Sequence, residues 1–161
     1  ATVREVLEGA GLAASRLEFE LTETVLMRDL DYATIILAQL REMGIRVAVD
    51  DFGTGYSSLN YLKRFPLDEL KIDRSFVKDV ISDPNDAAIT TAIIGLAQNL
   101  KLSVVAEGVE TTEQADFLLR RGCNTMQGFL FAKPMPQQDF EELLMAGMNM
   151  GDMQAVFMVD C

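Results

Sequence analysis

The sequence contains no histidine among its 161 residues, and this absence excludes several kinds of chemistry. Ser-His-Asp catalysis, histidine-ligated zinc and histidine general bases all need an imidazole group. Cysteine is also scarce, since only Cys123 and Cys161 occur, far apart and without a CxxC motif. Because two distant cysteines give no disulfide framework, we expect a reducing compartment, the cytoplasm, for this segment.

Long apolar runs and proline are scarce as well. The apolar runs are too short for a transmembrane helix and we find no signal peptide, so we expect no membrane insertion of this segment. With 49% apolar residues, 24% charged residues and only 4 Pro, the composition is typical of a globular domain and not of a disordered chain.

Positively charged residues are few. The sequence has 14 Lys and Arg residues and 25 Asp and Glu residues, which gives a net charge of −11. This balance argues against a nucleic acid polymer as partner, since polymer binding relies on many phosphate contacts from basic side chains. A small phosphate ligand is still compatible with the charge, because a bound cation inverts the local potential.

Short β-branched segments alternate with helical patterns along the chain. Strands are predicted at 17–21, 45–49, 70–72, 103–106 and 124–127, and helices at 31–43, 84–99, 111–121 and 140–145. This alternation predicts parallel βαβ units, in either a small open α/β sheet or about two thirds of a (β/α)₈ barrel, which needs eight strands and typically ~250 residues. A helical face of Val3, Val6 and Leu7, under way at residue 2 with no strand before it, favours the incomplete barrel.

Polar side chains stand where the predicted strands end: Glu20, Asp50, Asp51, Lys71, Glu107 and Gln127. A single acid after a strand is usually a helix N-cap, but five strands that each deliver a polar group to one edge of a parallel sheet favour a site. Carboxylate and amide oxygens suit Mg²⁺, Mn²⁺ or Ca²⁺, and a bridging carboxylate can hold two such ions about 3.5–4 Å apart. Lys71 either serves that site or pairs with Asp73 or Glu69.

Five short motifs resemble the EAL domain family, the bacterial cyclic di-GMP phosphodiesterases. They occur in the family's order and are Glu20-Leu21-Thr22-Glu23, Asp50-Asp51-Phe52-Gly53-Thr54-Gly55, Leu70-Lys71-Ile72-Asp73, Ala106-Glu107-Gly108-Val109-Glu110 and Gln127-Gly128-Phe129 followed by Pro134. The resemblance covers about residues 1–145 and implies a TIM-type barrel that hydrolyses cyclic di-GMP to pGpG with two Mg²⁺ or Mn²⁺ ions.

The resemblance also implies a role for each matching residue. Glu20, Asp50, Asp51 and Glu107 would be metal ligands, with Asp50 bridging the two ions. Lys71 would contact the water nucleophile or the phosphate, and Gln127 would hold the catalytic water or the metal shell. Glu23 would stabilise the 52–58 loop, and Glu110 would be a substrate contact or support the metal ligands.

The Glu-Ala-Leu signature and the metal-binding Asn of the family do not occur in this sequence. We therefore interpret residues 1–145 as an EAL domain without its N-terminal third, followed by a Met-rich tail at 146–161. For the 161 residues alone we expect only trace hydrolysis. The alternatives are a catalytically inactive module that binds cyclic di-GMP or a protein partner, and a fragment without activity of its own.

The resemblance implies protein partners too. Family members resemble one another in dimerising through the region after the Asp50 loop, which here contains Tyr56, Leu59, Tyr61 and Leu62. We therefore expect a homodimer. Sensory or GGDEF domains are expected in the parent protein.

Overall fold

The computed structural model describes residues 2–55, 62–145 and 154–156. Contacts between residues divide the chain into two compact units, residues 1–70 and 71–161. In both units the paired strands are parallel and alternate with helices, which confirms the predicted α/β fold class. Within the described residues, no helix has the length and apolar character needed to cross a membrane.

The elements of the first unit follow the sequence pattern closely. They are helix α1 (Val3–Ala10), a 3₁₀ turn (Ala14–Arg16), strand β1 (Glu18–Thr22), helices α2 (Glu23–Leu26) and α3 (Leu30–Glu42), and strand β2 (Arg46–Phe52). Strand β3 (Glu69–Ile72) begins at the end of this unit. Helix α2 was not predicted, because four residues are too few to show a helical period.

Side-chain caps fix where the helices of the first unit begin. Thr2 and Glu5 form a capping box, so α1 begins at Val3, whereas the sequence pattern indicated a helix already under way at residue 2. The Asp29 carboxylate accepts a hydrogen bond from the Tyr32 amide at 3.0 Å and starts α3. Gly44, at φ 80°, follows the end of α3, as the sequence indicated.

The core of the first unit forms around β2. Val47, Ala48 and Val49 are all buried, so both faces of this strand are covered, as is typical of a parallel sheet. Leu37 is the buried residue of α3. Tyr32 and Ile35, which the helical pattern assigned to the apolar face, are 63% and 56% exposed, so that part of the prediction is wrong.

The second unit contains helix α4 (Arg74–Lys78), helix α5 (Pro84–Leu100), strand β4 (Ser103–Ala106), helix α6 (Thr112–Leu119), strand β5 (Thr125–Gln127), helix α7 (Gln137–Met145) and strand β6 (Gln154–Val156). The predicted strands and long helices agree with these bounds within a few residues. Helix α4 and strand β6 were not predicted. Strand β6 pairs in parallel with β5 and lies in the Met-rich segment 146–161, the rest of which is outside the described residues.

Local signals again determine the helices of this unit. Asp83 caps α5 by accepting from the Asn85 amide at 2.7 Å, and Pro84 occupies the first helical turn, where its missing N–H costs nothing. The capping box predicted from Thr111 and Gln114 opens α6. The buried residues Val104, Val105 and Ala106 place both faces of β4 in the core.

The Cys123 thiol lies fully buried beneath this core and contacts the Thr125 carbonyl oxygen at 3.4 Å. Burial raises the pKa of the Cys123 thiol from 9.0 to about 12, because the thiolate would lose its hydration. An unfolded chain therefore ionises this group at a lower pH than the folded chain does. The contribution of the buried neutral thiol to the free energy of unfolding is therefore complete below pH 9.0 and is lost as the pH rises toward about 12.

We therefore expect Cys123 to make the protein more alkali-sensitive than Cys123→Ala. Above pH 9.0 the free energy of unfolding should fall faster in the wild type, by up to about 1.4 kcal/mol per pH unit. Urea unfolding of both proteins at about pH 8 and about pH 10.5 measures this difference, and other titrating groups cancel in the comparison. A stability gap between the two proteins that is the same at both pH values would contradict the prediction.

Candidate active site

The first two strands carry two of the predicted metal ligands on one face. Glu20 lies opposite Ala48, and Thr22 lies opposite Asp50, in the parallel register of β1 and β2. Because side chains alternate between faces along a strand, Glu20 and Asp50 project from the same face. The ion pair of Glu18 with Arg46, at 3.2 Å, lies on this face as well, at the opposite end of the strands.

Asp51, which follows in the chain, has an unusual backbone. Its φ of 53° lies in the left-handed region, which costs a residue with a side chain about 1–3 kcal/mol. The Thr54 hydroxyl and amide both donate to the Asp51 carbonyl oxygen, at 2.9 and 3.3 Å, and so hold this turn. Strain of this kind persists only where surrounding contacts fix the backbone, and it occurs often at functional sites.

Glu23 contacts the loop that follows Asp51. It is only 3% exposed, and its Oε2 accepts a hydrogen bond from the Gly53 amide at 3.4 Å. A Cβ atom at Gly55 would lie 3.2 Å from the Glu23 carboxyl group, so the loop passes directly over this side chain. Among the described residues, Glu23 Oε1 has no hydrogen-bond partner.

In the second unit, Lys71 and Glu107 form a buried ion pair. Lys71 Nζ lies 2.7 Å from Glu107 Oε1, and Lys71 is only 6% exposed. A buried ammonium group needs such a partner, because it has lost the solvation of water. Glu69, one of the two alternative partners considered, accepts from Arg46 at 3.3 Å, and the other, Asp73, caps α4.

Glu107, Glu110 and Gln127 line one cleft of about 270 Å³ in the second unit. Arg74 and Phe129 line it too, and Phe129 is 57% exposed. Sequence reasoning overlooked Arg74, although it follows the Lys71-Ile72-Asp73 motif directly. A cleft that combines a guanidinium group, carboxylates, an amide and an exposed aromatic ring can bind a phosphate ester that carries an aromatic base.

Two glycines allow the backbone segments of this cleft to approach closely. At Gly128 an added Cβ atom would lie 2.1 Å from the Val109 carbonyl oxygen, and the Val109 amide donates to the Gln127 carbonyl at 3.0 Å. Gly108 has a φ of 68°, and a Cβ atom there would lie 2.6 Å from the Arg74 Cβ. The distance between Glu107 and Gln127 is therefore set by backbone packing as well as by side chains.

Across residues 2–55, 62–145 and 154–156, no group of three or more acidic or cysteine side chains is arranged to hold a metal ion. Within each unit, however, several of the predicted site residues lie close together. Glu20 and Asp50 share a strand face, Glu23 holds the adjacent loop, and Lys71 pairs with Glu107 beside Glu110 and Gln127. The ligand assignments themselves stay a prediction.

Comparison with known proteins identifies the class to which this fold and these side chains belong. The EAL domain family matches residues 1–134, and the chain therefore belongs to this family. The structural neighbours are EAL domains, which have the TIM-barrel-like fold that the sequence indicated.

Particular relatives are similar over most of the chain. It is 53% identical over 144 residues to the cyclic di-GMP phosphodiesterase NbdA of Pseudomonas aeruginosa, covering 89% of this chain and 18% of that protein. A solved structure of the phosphodiesterase PaMucR in complex with cyclic di-GMP is 52% identical, with a TM-score of 0.83, and the match covers 86% of this chain and 56% of that one. BlrP1 of Klebsiella pneumoniae, solved with manganese and cyclic di-GMP, is 38% identical with a TM-score of 0.75, covering 80% and 33%. The chain thus spans about a fifth of the length of NbdA.

The close approach at Gly128 predicts that alanine substitutions at two glycines have opposite effects on the stability of the protein. Gly128→Ala should lower the free energy of unfolding by about 2 kcal/mol or more, because the new methyl group collides with the Val109 backbone. Gly95→Ala is the matched control, since Gly95 lies within α5 with open space around it, and this change should raise stability by about 0.4–1 kcal/mol. Urea unfolding of both variants measures the difference, and equal effects would show that the two backbones are not in contact.

Proposed function

We propose that this chain is part of a metal-dependent phosphodiesterase that hydrolyses cyclic di-GMP to the linear dinucleotide pGpG. The observation that carries the proposal is the buried Lys71–Glu107 pair, which adjoins a cleft that Glu110 and Gln127 also line. Membership of the EAL domain family, together with a relative of 53% identity named a cyclic di-GMP phosphodiesterase, supports this substrate.

Glu20, Asp50, Asp51 and Glu107 would hold the metal ions, and Asp50 would be the ligand that two ions share. Their donors are all carboxylate oxygens, which suit Mg²⁺ or Mn²⁺ better than zinc or copper. The shared face of Glu20 and Asp50 agrees with this set, because two carboxylates on one face repel each other unless a cation lies near them. Such cations, when bound, polarise the phosphate and make water a better nucleophile.

The remaining residues act on the substrate and its water. Lys71, held by Glu107 at 2.7 Å, presents a fixed positive charge that can orient the water or neutralise the phosphate. Gln127 holds the attacking water through its amide, and Glu110 contacts the substrate within the cleft. Glu23 keeps the loop after Asp51 in place through the Gly53 amide. Each of these roles relies on positioning, which is the main protein contribution to phosphoryl transfer.

Two further parts of the proposal concern the whole protein. The match covers 56% of the PaMucR structure, and we propose that residues of the full domain outside these 161 complete the metal shell. The homodimer also stays a prediction. Tyr56, Leu59 and Tyr61 lie outside the described residues, and Leu62 is buried.

The proposed bridging role of Asp50 predicts a large loss of activity when this residue is replaced. In the full-length protein, Asp50→Ala should lower cyclic di-GMP turnover by about 10³-fold or more, because a central electrostatic group is removed. Asp29→Ala is the control, since it removes only the cap of α3 and should cost about 1 kcal/mol of stability without changing turnover. Release of pGpG in the presence of Mn²⁺ measures both. If Asp50→Ala keeps more than about a tenth of the activity, Asp50 does not bridge the ions.

The carboxylate donor set also predicts which metals support turnover. Mg²⁺ and Mn²⁺ should sustain hydrolysis, whereas Ca²⁺ should inhibit it, because the larger and looser calcium shell does not hold phosphate and water in line. The measurement is the rate of pGpG release after chelation and addition of each ion, with binding of cyclic di-GMP followed separately. Equal rates with Ca²⁺ and Mg²⁺ would refute a geometry-sensitive metal site.

A further inference from the structure

The segment between β4 and α6, residues 107–111, carries two of the proposed site residues and is held in two different ways. Its first half is fixed by neighbouring strands, since the Glu107 amide donates to the Ile72 carbonyl at 3.1 Å and the Val109 amide donates to Gln127 at 3.0 Å. Its second half leaves the strands. The amides of Glu110 and Thr111 both donate to Gln114 Oε1, at 2.7 and 3.0 Å.

Gln114 makes more contacts than its place in a capping box requires. A glutamine at this position needs only to accept from the amide of the cap residue, here Thr111. Gln114 also accepts from Glu110, one residue earlier, and its Nε2 donates to the Lys78 carbonyl at 2.9 Å. Lys78 ends α4, the helix that follows Lys71 and Arg74 in the chain. The Gln114 side chain is only 5% exposed, whereas Glu5, at the same position of the α1 capping box, is exposed.

These contacts need a carboxamide. One oxygen accepts two backbone N–H groups while the nitrogen donates to a carbonyl, and only glutamine and asparagine offer both groups on one planar side chain. A carboxylate would keep the acceptor but would oppose the Lys78 carbonyl. An apolar side chain would leave two amides and one carbonyl without partners in a buried place.

Glu110 itself depends on this arrangement. Its side chain is exposed to the cleft that Arg74, Glu107 and Gln127 also line, and among the described residues its carboxylate receives no hydrogen bond. The contact at its backbone amide therefore fixes the main chain from which the Glu110 side chain extends into the cleft. Lys71 and Glu107, by contrast, are held by each other and by the Ile72 carbonyl.

We propose that Gln114 is a positioning residue for substrate binding, which sets the Glu110 carboxylate in the cleft by holding the Glu110 and Thr111 amides against the end of α4. This role rests on the proposed function, in which Glu110 contacts cyclic di-GMP. Residues 107–111 would thus contain two functional residues whose backbones are held by different contacts. Glu107, a proposed metal ligand, has its backbone fixed by the strands, and Glu110, a proposed substrate contact, has its backbone fixed by Gln114.

The test compares Gln114→Met with Gln98→Met in the full-length protein. Gln114→Met should raise the KM for cyclic di-GMP about tenfold and change kcat by less than about threefold, because Glu107 and Lys71 keep their contacts. Gln98 is a matched control, since its amide also donates to a backbone carbonyl, that of Arg121, but lies exposed and away from the cleft. Gln98→Met should leave KM unchanged.

Two further variants separate positioning from a general loss of stability. Gln114→Glu keeps the acceptor for both amides but loses the donor to the Lys78 carbonyl and buries a charge, so it should lose at least as much thermal stability as Gln114→Met while raising KM less. Glu110→Gln combined with Gln114→Met should raise KM no more than Glu110→Gln alone, because both changes remove the same contact. The proposal would be overturned if KM rose in proportion to the loss of melting temperature across the variants. It would also be overturned if the KM increases of Glu110→Gln and Gln114→Met multiplied in the double variant.

Hydrogen exchange provides a readout that does not depend on activity. The Glu110 and Thr111 amides should exchange about tenfold faster or more in Gln114→Met, while the Val109 amide, which bonds to Gln127, keeps its protection. Equal exchange of these two amides in both proteins would overturn the role of Gln114. If the wild type shows no cyclic di-GMP turnover, the proposed function fails instead, and the exchange result still decides whether Gln114 fixes the main chain at Glu110.

Discussion

The buried ammonium group of Lys71 imposes the constraint on which the second unit depends. At 6% exposure the charge has lost most of its water, so a carboxylate must lie within hydrogen-bonding distance, and Glu107 lies at 2.7 Å. This pairing requires the end of β4 to lie beside the end of β3, which the bond from the Glu107 amide to the Ile72 carbonyl also secures. Directly after Glu107 the chain turns at Gly108, whose φ is 68°, and Val109 then packs closely against Gly128 at the end of β5.

Both units stabilise the segment after a strand with a buried side chain that accepts backbone amides. In the first unit the carboxylate of Glu23 accepts from Gly53, and in the second the carboxamide of Gln114 accepts from Glu110 and Thr111. The two differ in the charge that they bury. Glutamine is neutral and also donates to Lys78, so its polar groups are all matched, whereas Glu23 brings a carboxylate beside the Asp51 loop. A neutral bridge suits a segment that already carries Glu107 and Glu110, since another negative charge would repel both.

Much of the fold could be predicted from sequence because its signals are local. Strand β4 was predicted at its observed bounds, and the Thr111–Gln114 spacing identified the start of α6. Short helices such as α2 and α4 escaped prediction, since they cover little more than one turn and show no period. The apolar face of α3 was partly wrong because a helical pattern gives a set of apolar positions but does not say how much of that set the sheet covers, and Tyr32 and Ile35 remain exposed.

The sequence by itself determined the kinds of elements, their order, and the supply of carboxylates, an amide and a lysine at the ends of strands. Residue spacing and caps act within a few positions, so they can be read without a fold. The tertiary structure decided which groups meet. Sequence spacing offered Glu69 and Asp73 as partners for Lys71, whereas the tertiary structure brings Glu107, 36 positions later in the chain, to 2.7 Å from it. The reach of Gln114 to the Lys78 carbonyl likewise depends on the packing of distant segments, which no local pattern records.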